Sequence, residues 1–233
     1  MVKENTVPKH VVLFPDGNRR WAKEHGFPTL EGHRRGKENF EGFLSWCKAR
    51  GVTVITVFGF SSENWNRSEK EVCYLMDLFE EYLGNAKAVE KFKREGIHVN
   101  IIGQKERLRP SLQKVITHVE EQTKNNTQFY LNLAVSYGGK WDITQAVQKI
   151  VREGIPAEEI TEDTIAQRLS TAGLPDPDLI IRAGGEKRFS NFVLWQGAYA
   201  ELYFCPKYWP DFNEQDLDDA FAEYAKRQRR FGQ

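Results

Sequence analysis

The sequence predicts a single-domain α/β protein in which a central, mostly parallel sheet is surrounded by helices. Short apolar runs rich in β-forming residues alternate with longer segments that have helical periodicity. The longer segments can form crossover helices, which join strands that run parallel. The length of 233 residues is most simply one domain covering 1–233, large enough to bury a substantial core.

The predicted strands and helices alternate along the chain. The strands cover residues 11–14, 52–60, 97–102, 129–135 and 179–181. The helices include residues 38–49, 69–94, 108–124, 143–152 and 214–229. Ser68 and Glu71 form a capping box that predicts the start of helix 69–94, and Gly96 predicts its end.

Charge and composition argue against several classes of function. Lysine plus arginine equals aspartate plus glutamate at 33 each, so net charge favours neither nucleic acid nor an anionic membrane. Cys47, Cys73 and Cys205 lack metal-ligand spacing, so we expect them to be small core residues. Three cysteines without a disulfide pattern also fit a protein of the reducing cytoplasm. No apolar run reaches the length of a membrane span, and the amino terminus lacks a signal segment. We therefore expect a cytoplasmic protein without a transmembrane segment.

The segment 178–204 carries the clearest indication of a ligand. Arg182 follows the predicted strand 179–181, at the end of the strand where open parallel sheets bind ligands. Arg188 and Ser190 add a second guanidinium and a hydroxyl, groups that bind phosphate oxygens directly. A phosphate ester is the first substrate class that this segment indicates.

A second phosphate site is predicted at the turn Asp16-Gly17, after the first strand. A helix starting there would point free backbone amides at a bound anion. Asp16 would hold Mg²⁺ through one carboxylate, since magnesium takes few protein ligands and keeps water and phosphate ligands. The alternative, an ordinary Asx turn or helix N-cap, is commoner for an Asp-Gly pair. The polar run Asn18, Arg19 and Arg20 favours the phosphate site.

The segment 58–67 places a dense polar cluster after another strand. Its hydroxyl, carboxylate, amide and guanidinium groups belong to Ser61, Ser62, Glu63, Asn64 and Arg67. They would position a phosphate and a reacting centre. The alternative is a well-capped loop in which Trp65 anchors the segment to the core, and we favour the anchor role for Trp65. His33 would assist proton transfer or bind phosphate, although a lone histidine is as often structural.

Three common motifs are absent from the sequence. The chain has no GxxxxGKS phosphate loop, no GxGxxG fingerprint and no GxSxG elbow. Nucleotide hydrolysis, dinucleotide redox chemistry and serine hydrolysis therefore lack their usual sequence support.

Several segments, in order over nearly the whole chain, resemble the signature regions of the cis-prenyltransferases, the undecaprenyl diphosphate synthase family. They are HVVLFPDGNRRWA, GHRRG, FGFSSENWNR, IRAGGEKRFSNFVLWQGAYAELYF and the terminal RRFG. The resemblance implies a homodimer with a hydrophobic tunnel in each subunit. It implies the repeated cis addition of isopentenyl diphosphate to an allylic primer, such as farnesyl or geranyl diphosphate, with release of diphosphate. The implied product, undecaprenyl diphosphate or a similar lipid carrier for cell-wall or glycan synthesis, predicts peripheral contact with the inner membrane surface.

The resemblance also implies roles for individual residues. Asp16 and Glu201 match magnesium ligands, with Glu201 at the dimer interface, and Asp16, Ser61 and Asn64 match catalytic residues. Arg182, Arg188 and Ser190 match the isopentenyl diphosphate site, which Arg230 and Gly232 reach in the partner subunit. The full set of implied substrate-binding residues is Gly17, Asn18, Arg19, Arg20, Trp21, His33, Ser61, Glu63, Trp65, Arg67, Arg182, Arg188, Ser190, Arg230 and Gly232. The sequence leaves open whether Phe60, Leu78, Phe79 and Tyr82 face a tunnel or the core.

The chain departs from the family pattern at three positions. Pro15 stands where methionine is common, Ala183 where threonine is common, and Thr29 where an arginine often lies in the allylic site. The missing guanidinium would weaken the hold on the allylic phosphate by about 1.5–3 kcal/mol, unless Arg19, Arg34 or Arg35 replaces it. These departures bear on the identity of the primer.

Three alternatives remain at this point. A non-catalytic member of the same fold is expected to lack Asp16 or the phosphate-binding arginines, all of which are present here. A member that makes irregular couplings has no distinguishing mark in the sequence. A phosphatase acting on a prenyl diphosphate would release inorganic phosphate, and the sequence supplies no evident phosphoryl nucleophile.

Overall fold

The computed structural model describes residues 7–227, and this range contains a six-stranded sheet. The strands are β1 His10–Phe14, β2 Val54–Ser61, β3 Ile97–Ile102, β4 Phe129–Tyr137, β5 Leu179–Arg182 and β6 Glu201–Phe204. Their order is β3-β4-β2-β1-β5-β6, and every neighbouring pair is parallel. The predicted α/β class is confirmed, with a sheet that is entirely rather than mostly parallel in the described range.

Eight α-helices surround this sheet in the described range. They are α1 Asn18–Glu24, α2 Thr29–Ala49, α3 Glu69–Gly84, α4 Ala86–Arg94, α5 Pro110–Thr123, α6 Gly139–Arg152, α7 Glu162–Ala166 and α8 Glu214–Lys226. A 3₁₀ helix, Ser62–Asn66, follows β2 directly. None of the helices within residues 7–227 has the length and apolar content that crossing a membrane requires.

Three predicted helices differ from the structure. Helix 143–152 begins four residues earlier, at Gly139, and the end of the predicted helix 214–229 lies outside the described residues. The predicted helix 38–49 is the second half of α2, which starts at Thr29. The first half contains Gly32 and Gly36, weak helix formers that weaken the helical signal of the sequence. The predicted helix 69–94 is two helices, α3 and α4. Asn85 separates them, since its extended backbone ends α3 and its Oδ1 accepts hydrogen bonds from the first amides of α4.

One strand, β6, was not predicted. It lies at the edge of the sheet beside β5, and its four residues are only half-buried. An edge strand of this kind lacks the continuous apolar run by which the buried strands are detected. The other strands are confirmed with shifts of one or two residues at their ends.

The core lies on both faces of the sheet. Side chains alternate along β1, so Val11 and Leu13 pack in the larger cluster while Val12 and Phe14 pack in a smaller one. Cys47 and Cys205 are buried as predicted, whereas Cys73 is exposed, so the core assignment of Cys73 was wrong.

The topology brings three chain segments to one edge of the sheet. β1 lies between β2 and β5, and all three strands run in the same direction. Their carboxyl ends are therefore neighbours at the point where the strand order reverses, which is where ligands bind in open α/β sheets. The residues that follow these strands include the three segments singled out in the sequence.

His10 at the start of β1 predicts a loss of stability at acidic pH. The side chain is 1% exposed, and burial lowers its pKa from 6.5 to about 4. Nδ1 donates to the Pro175 carbonyl at 2.7 Å, so neutral Nε2 accepts from the Thr56 hydroxyl at 2.8 Å. Between pH 6.5 and 4 the unfolded chain binds a proton that the folded chain excludes, so stability falls with falling pH, by about 3 kcal/mol over the window.

Denaturant unfolding at several pH values between 7 and 4 measures this contribution. We expect the stability of His10→Gln to depend less steeply on pH than that of the wild type. The matched control, His118→Gln, removes an exposed histidine and should follow the wild-type profile. Parallel profiles for His10→Gln and the wild type would disprove the assignment.

Candidate active site

A cavity of about 800 Å³ opens at the carboxyl ends of β1, β2 and β5. Its polar lining consists of Asp16, Asn18, Arg19, Arg20, Lys23, Thr29, His33, Ser61, Asn64, Arg67 and Arg182. Its apolar side chains are Phe14, Pro15, Phe27, Pro28, Phe58 and Leu75. The cavity thus joins a strongly cationic surface to an apolar one. Such a pair of surfaces suits an anionic head group on a hydrocarbon chain.

Gly17 fixes the turn that carries Asp16 into the cavity. Its φ of 99° lies in the left-handed region, and a β-carbon there would lie 2.5 Å from Cδ1 of Tyr208. Gly17 itself occupies the N-cap position of α1, so the alternative that Asp16 is the N-cap is wrong. Asp16 Oδ1 does accept a local hydrogen bond from the Gly17 amide at 2.6 Å.

The remaining contacts of the Asp16 carboxylate are with guanidinium groups. Oδ2 accepts from Arg182 Nη2 at 2.8 Å, and Oδ1 lies 3.3 Å from Arg20 Nη2. Arg20 also pairs with Glu186 at 3.2 Å and lies over the Tyr208 ring. Asp16 therefore connects segments that follow β1 and β5.

Arg182, the last residue of β5, is the most buried charged side chain of the site. It is 4% exposed, and its guanidinium lies 4.9 Å from the centre of the Phe14 ring. Nη1 donates to the Ser190 hydroxyl at 2.9 Å and to the Arg188 carbonyl. Nε is buried without a hydrogen-bond partner in the described part of the chain. Arg182 thereby connects Asp16 with Ser190, which the sequence analysis placed in two separate phosphate sites at the same sheet edge.

The loop after β5 holds unusual backbone conformations. Ser190, Asn191 and Val193 have φ of 46°, 62° and 39°, which non-glycine residues adopt at a cost of about 1–3 kcal/mol each. Strain of this kind commonly accompanies functional loops. Arg188 is exposed and its guanidinium pairs with Glu186, which also pairs with Arg20. This bridging role of Glu186 was not predicted from the sequence.

A second cationic group surrounds the buried carboxylate of Glu71, on α3. His33 Nε2 lies 3.1 Å from Oε1, and Arg67 Nη1 donates to the same oxygen at 2.9 Å. Arg19 Nη1 is 3.8 Å from Oε2. Burial holds the pKa of His33 below 6.5, and the two arginines lower it further, whereas Glu71 raises it. His33, Arg67 and Arg19 all line the cavity.

Glu71 was predicted only as part of a capping box with Ser68. The Ser68 hydroxyl does accept from the Glu71 amide at 3.4 Å, so the predicted helix start is confirmed. The Glu71 carboxylate, however, bonds to His33 and Arg67. A glutamate four residues after Arg67 was the available signal for that ion pair.

Ser61 and Asn64 meet at the end of β2. The Ser61 amide donates to Asn64 Oδ1 at 3.1 Å, and both residues line the cavity. This reciprocal cap starts the 3₁₀ helix Ser62–Asn66 and fixes the two side chains beside each other. The arrangement agrees with the predicted shared position of Ser61 and Asn64.

Trp65, Trp21 and Glu63 lie outside the lining of the cavity in the described structure. Trp65 packs on the core, and its indole donates to the Ser136 hydroxyl at 2.9 Å, so the preferred anchor role agrees with the structure. Trp21 is buried and donates to Asp211 Oδ1 at 2.7 Å. Glu63 accepts from Asn191 Nδ2 at 2.9 Å. These contacts position segments of the site, and the substrate contacts that the resemblance implies for the three residues stay predictions.

The predicted metal ligands do not meet within one chain. Glu201 begins β6 opposite Leu179 and pairs with Arg227 at 2.7 Å, whereas Asp16 contacts Arg182 at the other end of β5. The described residues contain no group of three histidine, cysteine or acidic side chains arranged for a metal. A single cavity carboxylate nevertheless fits Mg²⁺ that is held mainly by phosphate oxygens and water. Arg230 and Gly232 lie outside the described residues.

The three departures from the family pattern occupy definite places. Thr29 and Pro15 line the cavity, and Ala183 is fully buried. Arg34 bonds to Glu31 and Glu38, and Arg35 bonds to Glu31, so both are committed elsewhere. Arg19 and the unpredicted Lys23 line the cavity and supply positive charge there.

The apolar part of the cavity reaches α3 at Leu75. Beyond it Phe60 is fully buried, and Leu78, Phe79 and Tyr82 pack against the core. A β-carbon at Gly59 would lie 2.9 Å from the Phe79 ring, so this ring closes tightly on β2. Phe60 therefore belongs to the core, whereas Leu78, Phe79 and Tyr82 are half-buried against it, and a longer tunnel stays a prediction.

The fold and the site together define a parallel α/β protein with a site for anionic, diphosphate-like head groups beside an apolar wall. Residues 14–232 match the family described as "Putative undecaprenyl diphosphate synthase". The isoprenyl transferase of Neisseria meningitidis is 47% identical over 100% of this chain and 92% of its own length. The farnesyl-diphosphate-specific ditrans,polycis-undecaprenyl-diphosphate synthase of Aliivibrio fischeri is 47% identical over 98% and 90%.

A solved structure agrees with these relatives. Lavandulyl diphosphate synthase from Lavandula x intermedia, in complex with dimethylallyl diphosphate, has a TM-score of 0.93 and 40% identity. The match covers 99% of this chain and 100% of that one. The chain therefore belongs to the undecaprenyl diphosphate synthase family, the cis-prenyltransferases, and is a prenyl transferase.

Proposed function

We propose that this protein adds isopentenyl diphosphate units, with cis geometry, to an allylic primer that is farnesyl or geranyl diphosphate. The product is undecaprenyl diphosphate or a similar polyprenyl carrier, and diphosphate is released. The observation that carries the proposal is the position of Asp16 and Arg182. Their ion pair connects the cationic cavity, where one diphosphate would bind, to the loop of Arg188 and Ser190, where the other diphosphate would bind.

The allylic diphosphate is expected to bind to Arg19, His33 and Arg67, with its hydrocarbon against the apolar wall. These two arginines and the histidine line the cavity together with Phe58 and Leu75. Gly17 and Asn18 adjoin them at the start of α1. Charge-assisted hydrogen bonds to phosphate oxygens would fix the head group.

Isopentenyl diphosphate is expected to bind to Arg182, Arg188 and Ser190. Arg182 already donates to the Ser190 hydroxyl, so the two groups are held for a common ligand. By resemblance, Arg230 and Gly232 of a second copy complete this site in a homodimer, and Glu201 serves the metal there. Size-exclusion chromatography with light scattering tests the dimer.

The condensation needs charge stabilisation and orientation. The allylic carbon–oxygen bond breaks and its electron pair leaves with the diphosphate, while the isopentenyl double bond supplies the pair for the new carbon–carbon bond. A proton then passes from the isopentenyl unit to a basic group or water. Mg²⁺ held by Asp16 and phosphate oxygens would supply positive charge beside the leaving group. Arg20 and Arg67 stabilise the same charge, and Ser61 and Asn64 orient the reacting units.

The family membership supports the synthase over the alternatives. Asp16, Arg182 and Arg188 are present, and Asp16 and Arg182 are in contact, which is not expected of a non-catalytic subunit. A cytoplasmic enzyme that contacts the inner membrane peripherally would deliver a lipid product there. A vesicle flotation assay with product present tests this contact.

Incubation with Mg²⁺, labelled isopentenyl diphosphate and one primer at a time tests the reaction. Dimethylallyl, geranyl and farnesyl diphosphate are compared, and the products are sized by chromatography. We expect a long cis-polyprenyl product with farnesyl or geranyl diphosphate. Dimethylallyl diphosphate alone is the control, because a product from it would indicate an irregular coupling. Release of inorganic phosphate without incorporation would indicate the phosphatase.

A further inference from the structure

We propose that Glu71 is a positioning residue for the allylic diphosphate, because its buried carboxylate holds His33 and Arg67 in the cavity wall. The inference rests on the proposed function, whose primer supplies the diphosphate. Glu71 itself lies behind the wall and is assigned no contact with substrate.

The contacts of Glu71 join separate parts of the chain. His33 comes from α2, Arg67 follows the 3₁₀ helix Ser62–Asn66, and Arg19 comes from α1. Their nitrogens lie 3.1, 2.9 and 3.8 Å from the Glu71 carboxylate oxygens. The side chains of Glu71 and His33 are each 8% exposed. One carboxylate of α3 therefore hydrogen-bonds to His33 and Arg67 and lies within ion-pair distance of Arg19.

This carboxylate is not needed to form its own helix. The start of α3 is capped by the Ser68 hydroxyl, which accepts from the backbone amide of Glu71. Burying an ionised carboxylate is costly unless cations and hydrogen bonds surround it. His33 and Arg67 compensate the burial of the Glu71 carboxylate, and both of them line the cavity. The Glu71 side chain is therefore linked to the binding site.

Two physical effects of Glu71 on an anionic ligand have opposite signs. Its negative charge repels a diphosphate, so removing it would tighten binding by Coulomb's law alone. Its hydrogen bonds hold His33 and Arg67 in place, so removing it would free two side chains whose ordering carries an entropic cost. We infer that positioning is the larger effect.

The pKa of His33 provides a second, independent test of the positioning role of Glu71. The charged groups that face it are Glu71 from α3, Arg67 after the 3₁₀ helix and Arg19 from α1. Burial and the arginines lower the His33 pKa, and Glu71 opposes them. Replacing Glu71 by glutamine should therefore lower this pKa further. A bound diphosphate should raise it and cause proton uptake.

Calorimetric titration with farnesyl thiolodiphosphate, which ionises slowly, separates binding from turnover. We expect Glu71→Gln to weaken binding by about 10- to 100-fold, the loss of a charged hydrogen bond. Glu80→Gln is the matched control, since Glu80 lies on the same helix and pairs with Arg109 away from the cavity. The control should bind as the wild type does.

Glu71→Asp keeps the charge and shortens the reach. Coulomb repulsion alone predicts wild-type binding in this variant, whereas positioning predicts weakened binding. Nitrogen-15 NMR titration of His33, identified by comparison with His33→Ala, should show a lower pKa in Glu71→Gln. Thermal unfolding confirms that each variant is folded at the temperature of the titration.

The outcomes separate the two proposals. Unchanged or tighter binding in folded Glu71→Gln, beside normal binding in the wild type, would overturn the positioning role. An unchanged His33 pKa would overturn it as well. Failure of the wild type to bind the allylic analogue would instead count against the proposed function.

Discussion

Asp16→Asn should lower kcat by about 10³-fold while leaving a folded protein, because the side chain keeps its shape and loses its charge. In the proposed mechanism Asp16 holds Mg²⁺ beside the departing diphosphate, and a neutral amide would be a much weaker metal ligand. The amide is also a weaker acceptor for Arg182 and Arg20. These guanidiniums contact Asp16 at 2.8 and 3.3 Å. Steady-state kinetics over a range of magnesium concentrations measure the effect. The loss should not be recovered at high magnesium.

The fold should tolerate this change. Asparagine has the shape of aspartate, and its amide oxygen can still accept from the buried Arg182. Thermal unfolding measures how much stability is lost with the charge. Asp218→Asn is the matched control, since Asp218 is also an aspartate paired with an arginine, Arg50, but lies on α8. The control should retain wild-type turnover. Near-normal activity in Asp16→Asn would refute the metal and leaving-group assignment.

The sheet edge was predictable because each strand that forms it is a buried apolar run. β1, β2 and β5 are detected by their own residues, and parallel pairing then brings their carboxyl ends together. Asp16, Ser61 and Arg182 follow from that topology without knowledge of any side-chain contact. Sequence alone therefore predicts that these three residues lie at one edge of the sheet.

The partners of those residues could not be predicted in the same way. Glu71 reaches His33 and Arg19 through the packing of helices, and that packing has no local signal in the sequence. Glu186 likewise pairs with Arg20, which lies 166 positions earlier in the chain, and also with its near neighbour Arg188. The half-buried strand β6 and the break at Asn85 also depend on what lies against them. Local sequence patterns therefore identify the arginines of the site, whereas tertiary contacts determine which acidic residues pair with them.

Arg182→Lys should raise the KM for isopentenyl diphosphate by about 100-fold with a much smaller change for the allylic primer. Lysine keeps the charge but loses the planar fork that reaches Asp16 and Ser190 together. Each lost charged hydrogen bond weakens binding by about 1.5–3 kcal/mol. The buried position, 4% exposed, leaves no water to replace those bonds. Initial rates with each substrate varied in turn separate the two KM values.

Arg168→Lys controls for the loss of a guanidinium elsewhere. Arg168 also makes a fork of hydrogen bonds, to Glu153 and to the Thr164 carbonyl, but lies outside the cavity lining in the described range. Both KM values should stay normal in that variant. Equal increases in both KM values for Arg182→Lys would mean that Arg182 supports the site as a whole, through Asp16. An increase in the KM for isopentenyl diphosphate alone would mean that Arg182 contacts this substrate directly, through its fork or its unpaired Nε. The two substrates share one cavity edge, so an indirect effect of Arg182 would change both KM values.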